Sequence, residues 1–93
     1  MTSKLTGGSS SYYRVDVASP LEGRPYSAEC LDIIMALRMD FAEGEAFKAI
    51  WRKAAARLGN GKEGNSALYN AEKVLFFGGV MVNQESARDD AEG

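Results

Sequence analysis

The sequence predicts an all-α fold, a small three-helix domain that follows an extended N-terminal arm. The chain has 93 residues, 45% of them hydrophobic, which suits one small domain and leaves no room for a second. Apolar residues recur at helical spacing in three stretches between residues 27 and 77. Capping residues and glycines separate these stretches, so each is expected to form its own helix.

The N-terminal part of the sequence predicts extended structure. Residues 1–11 are rich in Gly, Ser and Thr, so we expect a flexible arm that buries little surface. In the next segment Tyr13, Val15 and Val17 alternate with charged residues, as they would in a short strand. Two prolines and a glycine in residues 19–25 then indicate a turn-rich connector.

The first helix is predicted to begin at Ser27, which would cap it, with Glu29 in the first turn. Its apolar stripe, at positions i, i+3, i+4 and i+7, consists of Cys30, Ile33, Ile34 and Leu37. We expect this helix to stop near Arg38 or Met39, because a new helix start signal follows directly.

That start signal is the pair Asp40 and Glu43, whose D-x-x-E spacing is typical of the capping box that opens a helix. The apolar face of this second helix is predicted to consist of Phe47, Ile50, Trp51, Ala54 and Leu58. Residues 59–61, Gly-Asn-Gly, tolerate the left-handed conformation found at helix C-termini, so we expect the helix to end there.

A third helix is predicted over residues 66–77, with Asn65 as its cap. Its inward face is predicted to consist of Leu68, Ala71, Val74 and Leu75. Gly78 and Gly79 are expected to weaken or end it. Residues 84–93 are acidic and are predicted to form a disordered tail, which leaves residues 12–83 as a single helical domain.

Composition and net charge exclude several classes of function. The net charge of −2 provides no basic field, so non-specific nucleic-acid binding is not expected. The chain has no histidine, which excludes His-containing zinc sites and Ser-His or Cys-His nucleophile pairs. A single cysteine excludes an internal disulfide. No apolar run reaches the length of a membrane span, so we expect a cytoplasmic protein with no membrane partner.

Charge is distributed unevenly along the chain. Residues 27–43 carry a net charge of −3 and residues 44–62 a net charge of +4. Lys48 and Arg52 lie four residues apart, so they fall on one row of the second helix. They could form ordinary ion pairs with Glu29 and Asp32 of the first helix.

The alternative interpretation of the basic residues is an anion site. A planar guanidinium offers bidentate hydrogen bonds to phosphate, and an ammonium one turn earlier adds a point charge. The candidate phosphate ligands are Lys48, Arg52 and Arg57. Because the sequence contains no glycine-rich phosphate-binding motif, side chains would have to bind the anion.

Aromatic residues raise two further hypotheses. Tyr13 and Tyr26 could stack on a nucleobase, or they could cover the edge of a small core. Phe76 and Phe77 begin an apolar run, and adjacent helical residues point about 100° apart, so one monomer covers both with difficulty. We therefore expect a self-association surface there and a homo-oligomer.

Three blocks of the sequence resemble a family of small bacteriophage domains. The family pattern is roughly E-C-x-D-x-I, then G-N-A-x-K-Y-x-W-R, then a helix with D-L-x-K-A-x-x-Y. The corresponding blocks are residues 28–34, 44–52 and 71–77, and the middle block is the most specific. The sequence departs from the pattern at Glu45 and Ala49, where the family has Asn and Tyr.

This family includes phage deoxynucleotide kinases that lack the usual glycine-rich phosphate loop. The resemblance implies an early-infection phage protein of nucleotide metabolism, located in the cytoplasm of the infected bacterium. It implies that Lys48 and Arg52 bind the phosphate of a deoxynucleoside phosphate. A nucleoside monophosphate kinase activity would also need Mg²⁺, for which Glu29 and Asp32 are the candidate ligands. The alternative is a non-catalytic phage binding protein that sequesters a nucleotide signal or inhibits a host protein.

Overall fold

The structure is a computed structural model that describes residues 11–61 and 64–92. The flexible arm predicted over residues 1–11 falls, except for Ser11, outside these residues. The elements in chain order are a 3-10 turn Ser11–Tyr13, strands β1 (Arg14–Val17) and β2 (Tyr26–Glu29), and helices α1 (Cys30–Ala36), α2 (Phe41–Arg57) and α3 (Ala67–Glu92). The fold is therefore mostly helical, as predicted, with a small two-stranded sheet in addition.

Strands β1 and β2 form an antiparallel hairpin in which Arg14 lies opposite Glu29. Their side chains form a salt bridge of 3.7 Å, and Ser27 Oγ donates a 2.6 Å hydrogen bond to Asp16 Oδ1. The predicted strand near residues 13–17 is confirmed. The predicted helix start at Ser27 is wrong, because residues 26–29 make backbone hydrogen bonds to β1 and thereby become a second strand.

Helix α1 is consequently shorter than predicted and begins at Cys30, with Glu29 as an N-cap whose side chain makes no capping hydrogen bond. Cys30 is buried, whereas Leu37, the last residue of the predicted stripe, is exposed. The chain leaves the helix through Arg38, which has a left-handed φ of 56°. This exit confirms the predicted stop near residue 38.

The start and the end of α2 agree with the sequence prediction. Asp40 Oδ1 accepts a hydrogen bond from the Glu43 backbone N–H, and Glu43 Oε1 accepts one from the Asp40 backbone N–H, both at 2.9 Å. The capping box is therefore complete. At the other end, Gly59 adopts a φ of 85°, which only glycine adopts without strain, so the helix stops at Arg57.

The buried face of α2 differs from the predicted face. The buried residues are Ala42, Gly44, Ala46, Ala49 and Arg52. Ile50 and Leu58, which we expected to point inward, are 53% and 78% exposed. Helix α2 packs mainly against α3, and a face of small residues lets two helix backbones approach closely. Gly44 instead faces α1, since a Cβ built there would lie 3.6 Å from Cγ2 of Ile34.

Helix α3 begins one residue later than predicted and continues much further. Its first-turn hydrogen bond runs from the Tyr69 backbone N–H to Ser66 Oγ at 2.9 Å, so the predicted cap at Asn65 is wrong. The helix passes through Gly78 and Gly79 and ends at Glu92. The prediction of a disordered tail is therefore wrong over residues 84–92. Each glycine destabilises the helix by only about 1 kcal/mol relative to alanine, so the pair does not end it.

The described residues bury few hydrophobic side chains. The buried hydrophobic residues are Cys30, Ala42, Ala46 and Ala49. Large exposed hydrophobic residues occur along α2 and α3, including Phe41, Leu75 and Phe76. Among the described helices, none combines the length and the apolar character that a membrane span requires.

The capping box gives a first prediction. Replacing Asp40→Ala removes the acceptor for the Glu43 backbone N–H, and we expect a loss of about 1 kcal/mol in the free energy of unfolding. Urea denaturation followed by circular dichroism measures this loss. The control is Asp89→Ala, which removes an exposed carboxylate from α3 and should change stability by less than about 0.5 kcal/mol. Equal effects of the two substitutions would contradict the assigned capping role.

Candidate functional site

The centre of the candidate site is Arg52, which is 5% exposed although it carries a full charge. Its Nε donates a 3.1 Å hydrogen bond to Oδ1 of Asn70, which is 2% exposed. Its Nη1 donates a 2.9 Å hydrogen bond to the hydroxyl oxygen of Tyr13. Both partners are neutral, and no carboxylate in the described part of the chain forms an ion pair with Arg52.

The 3-10 turn before β1 lies against α2 beside this arginine. Trp51 Nε1 donates a 2.9 Å hydrogen bond to the backbone carbonyl of Tyr12. The rings of Tyr12 and Tyr13 lie 4.6 Å apart, measured between centroids, and are tilted by 55°. Trp51 is half-buried and also packs edge-on against Phe47 at 5.8 Å. Two adjacent residues of α2 thus position the turn that presents Tyr13.

Lys48 lies one turn before Arg52 on α2, and Cys30 is buried at the start of α1. Burial raises the pKa of the Cys30 thiol, because the thiolate would lose its hydration, and the positive charges of Lys48 and Arg52 oppose this rise in pKa. Lys48 is half-buried and pairs with Glu45 on its own helix at 3.6 Å.

The ion pairs considered between the first two helices do not form among the described residues. Glu29 pairs with Arg14 across the hairpin, and Lys48 pairs with Glu45. Asp32 lies exposed on α1 and forms no ion pair with a described residue. The first and second helices are therefore not joined by the charges that the sequence suggested.

Among the described residues, none of the other predicted site residues forms a hydrogen bond or an ion pair with Arg52, apart from Tyr13. Tyr26 is 55% exposed on β2, and Arg57 is exposed at the last residue of α2. No group of three or more potential metal-ligating side chains occurs in the described ranges. Mg²⁺ binding by Glu29 and Asp32 stays a prediction without a described third ligand.

Asn70 is the site residue that sequence reasoning missed. The predicted inward face of the third helix was built from apolar residues, and an amide did not fit that criterion. The observed inward row is Asn70, Val74 and Phe77, at i, i+4 and i+7. A signal was present, because a polar residue at a core position of one helix favours a polar residue, here Arg52, on the helix packed against it.

A shallow groove of about 300 Å³ lies along α3. It is lined by Tyr69, Glu72, Lys73, Phe76 and Phe77. Phe77 packs edge-on against Phe41 of α2 at 5.8 Å and against Phe76 at 5.0 Å. Lys73 lies 5.8 Å from the ring centroid of Phe77 and pairs with Glu45 at 3.4 Å. Phe76, 65% exposed, is the open apolar wall of this groove.

Comparison with models of protein families, with curated proteins and with solved structures finds no match for this chain. The resemblance to the phage family therefore stays a prediction.

The burial of Cys30 gives a second prediction. At 1% exposure its thiol should resist iodoacetamide in the native protein and react rapidly in urea, as mass spectrometry would show. Because folding raises the thiol pKa, the folded state holds the proton more tightly, and stability should fall as the pH rises above the ordinary thiol pKa of about 8.5.

The variant Cys30→Ala is the control for the pH dependence. It should lack the part of the stability loss at high pH that comes from ionisation of the thiol. Rapid alkylation of the native protein would contradict the assigned burial.

Proposed function

We propose that this chain binds a phosphate-bearing small molecule, with a deoxynucleoside monophosphate as the class to test first, and that it does so without catalysing a reaction. The supporting observation is the buried Arg52, whose two described hydrogen-bond partners are neutral. A buried cation is costly unless an opposite charge lies close to it. A bound anion supplies that charge.

Tyr13 provides the contact with the anion. Its hydroxyl oxygen accepts a hydrogen bond from Arg52, so its own O–H proton is free to point away from the guanidinium. The adjacent positive charge polarises this O–H and strengthens it as a donor. Tyr13 is half-buried, whereas Arg52 is nearly inaccessible. The arginine thus acts on the ligand through the tyrosine.

Lys48 supplies the mobile charge of the site. It lies one turn before Arg52, and its side chain is 38% exposed, so it can reach solvent and a ligand. Its ion pair with Glu45 is only partly buried, so a phosphate that carries up to two charges can compete with that carboxylate. Two cations and one polarised hydroxyl then surround one anion.

The same geometry favours binding over phosphoryl transfer. Phosphoryl transfer usually needs a carboxylate-held metal ion beside the phosphate. Glu29 is engaged by Arg14, and Asp32 lies exposed on α1. The resemblance to phage domains supports a deoxynucleotide as the source of the phosphate and a role in the nucleotide metabolism of an infected bacterium.

A second candidate function is the capture of a protein partner. The groove beside Phe76 favours it, because aromatic walls with a charged rim are typical of surfaces that accept apolar side chains from another protein. This candidate does not use Arg52, so substitutions in the two regions separate the two functions.

The third prediction tests the anion site with Asn70→Asp. The new carboxylate lies at the position of Oδ1, 3.1 Å from Arg52 Nε, and neutralises the guanidinium. We expect the free protein to become more stable by about 1 kcal/mol or more, because charge-assisted hydrogen bonds are stronger than neutral ones. Binding of deoxynucleoside monophosphates should be lost, as measured by thermal shift and calorimetry without Mg²⁺.

The matched control is Arg57→Ala, which changes the net charge by the same −1 at an exposed position at the end of α2, the helix that carries Arg52. It should leave the affinity unchanged. Tyr13→Phe, which removes only the hydroxyl, should weaken binding as well. If the wild-type protein shows no stabilisation by any nucleoside monophosphate or by inorganic phosphate, Arg52 is a purely structural residue and the proposal fails.

A further inference from the structure

Helix α3 carries an exposed apolar row on the side that faces away from α2. Leu68, Leu75 and Val82 recur every seven residues, so they lie on one face of the helix. Their side chains are 67%, 78% and 63% exposed. The residues of α3 that contact α2, such as Asn70 and Phe77, lie on a different face. This row is therefore not part of the contact between α2 and α3.

Small residues lie beside the row, and we call the two sets together the α3 seam: Leu68, Ala71, Leu75, Gly78, Gly79 and Val82. A methyl group built at Gly78 or Gly79 would meet nothing within 4 Å. These glycines therefore face open space, and nothing within the described fold requires them to lack a side chain. A second helix can approach the backbone of α3 closely at this point.

We propose that a second copy of this chain packs against the α3 seam with its own α3 running antiparallel. In this arrangement Leu75 lies on the two-fold axis, opposite Leu75 of the second copy. Leu68 then lies opposite Val82 of the second copy, and Ala71 lies opposite its Gly79. Leu68 and Val82 meet at both ends of the seam, and the small residues Ala71 and Gly79 meet between each end and the axis.

Charge selects the antiparallel direction. Residues 85–92, at the end of α3, carry a net charge of −3. In a parallel pair the two acidic ends would lie side by side and repel each other. In the antiparallel pair each acidic end extends past the start of the other copy's α3.

That position is next to the C-terminal end of α2. Helices α2 and α3 are antiparallel, since Arg52 contacts Asn70 while Glu45 contacts Lys73. The C-terminal end of α2 carries Lys53 and Arg57. The acidic end of one copy therefore meets basic residues of the other, an arrangement that does not involve the proposed anion site.

The experiment compares Leu75→Asp with Phe76→Asp by sedimentation velocity on the full chain. Both introduce one carboxylate at neighbouring exposed positions, but only Leu75 lies on the seam. The wild-type protein should be a dimer, and Leu75→Asp should raise its dissociation constant by about 100-fold or more. Phe76→Asp should stay dimeric. Circular dichroism confirms that both variants fold.

A second measurement tests the direction of packing. Leu75→Cys should form an intermolecular disulfide on oxidation with diamide, because the two substituted positions meet on the axis. Leu68→Cys alone should not crosslink in the antiparallel dimer, whereas it would in a parallel one. The native Cys30 is buried and does not compete.

Three outcomes would overturn the proposal: a monomeric wild-type protein at high micromolar concentration, a monomeric Phe76→Asp beside a dimeric Leu75→Asp, or efficient crosslinking of Leu68→Cys alone. The second outcome would assign self-association to the Phe76 groove.

Discussion

The fold depends on how the charge of Arg52 is accommodated on the inner side of α2. The guanidinium is rigid and has five N–H donors, so its burial fixes the groups around it. One fixed partner is Tyr13, in the turn before the hairpin, and another is Asn70, on α3. The neighbouring Trp51 holds the same turn through its indole N–H. Helix α2 therefore positions both the N-terminal elements and α3.

The second determinant of the structure is the small-residue face of α2. Ala42, Ala46 and Ala49 allow α3 to pack closely, but they bury little apolar area themselves. Larger residues such as Leu75 and Phe76 stay on the outside. The close packing of α2 against α3 and the exposed apolar surface thus have one cause, which is the placement of small residues on the inner side and large ones on the outer side. The sequence places its large hydrophobic residues where a second molecule, rather than the chain's own core, can cover them.

Signals that act within one turn of helix were predictable. The capping box of Asp40 and Glu43 and the glycine stop after α2 need only neighbouring residues, and both are confirmed. The hairpin of β1 and β2 was missed because residues 26–29 become a strand only by pairing with β1, from which eight connecting residues separate them. Of the predicted site, Arg52 and Tyr13 share a hydrogen bond, and Lys48 lies one turn before Arg52 on α2. Asn70 was missed, because the inward face of α3 was predicted from apolar residues alone, and such a selection cannot find a buried polar pair.

The proposed anion site and the proposed α3 seam lie on different faces of α3, and this separation has a consequence for stability. Asn70 faces α2, whereas Leu75 faces away from it. A chain of 93 residues with a core of small side chains gains little from burying its own apolar surface. Neutralising Arg52 with an anion and covering Leu75 with a second copy would each add stability without changing the contacts made by the other. We therefore expect the two effects to be additive, which double variants such as Asn70→Asp with Leu75→Asp measure directly.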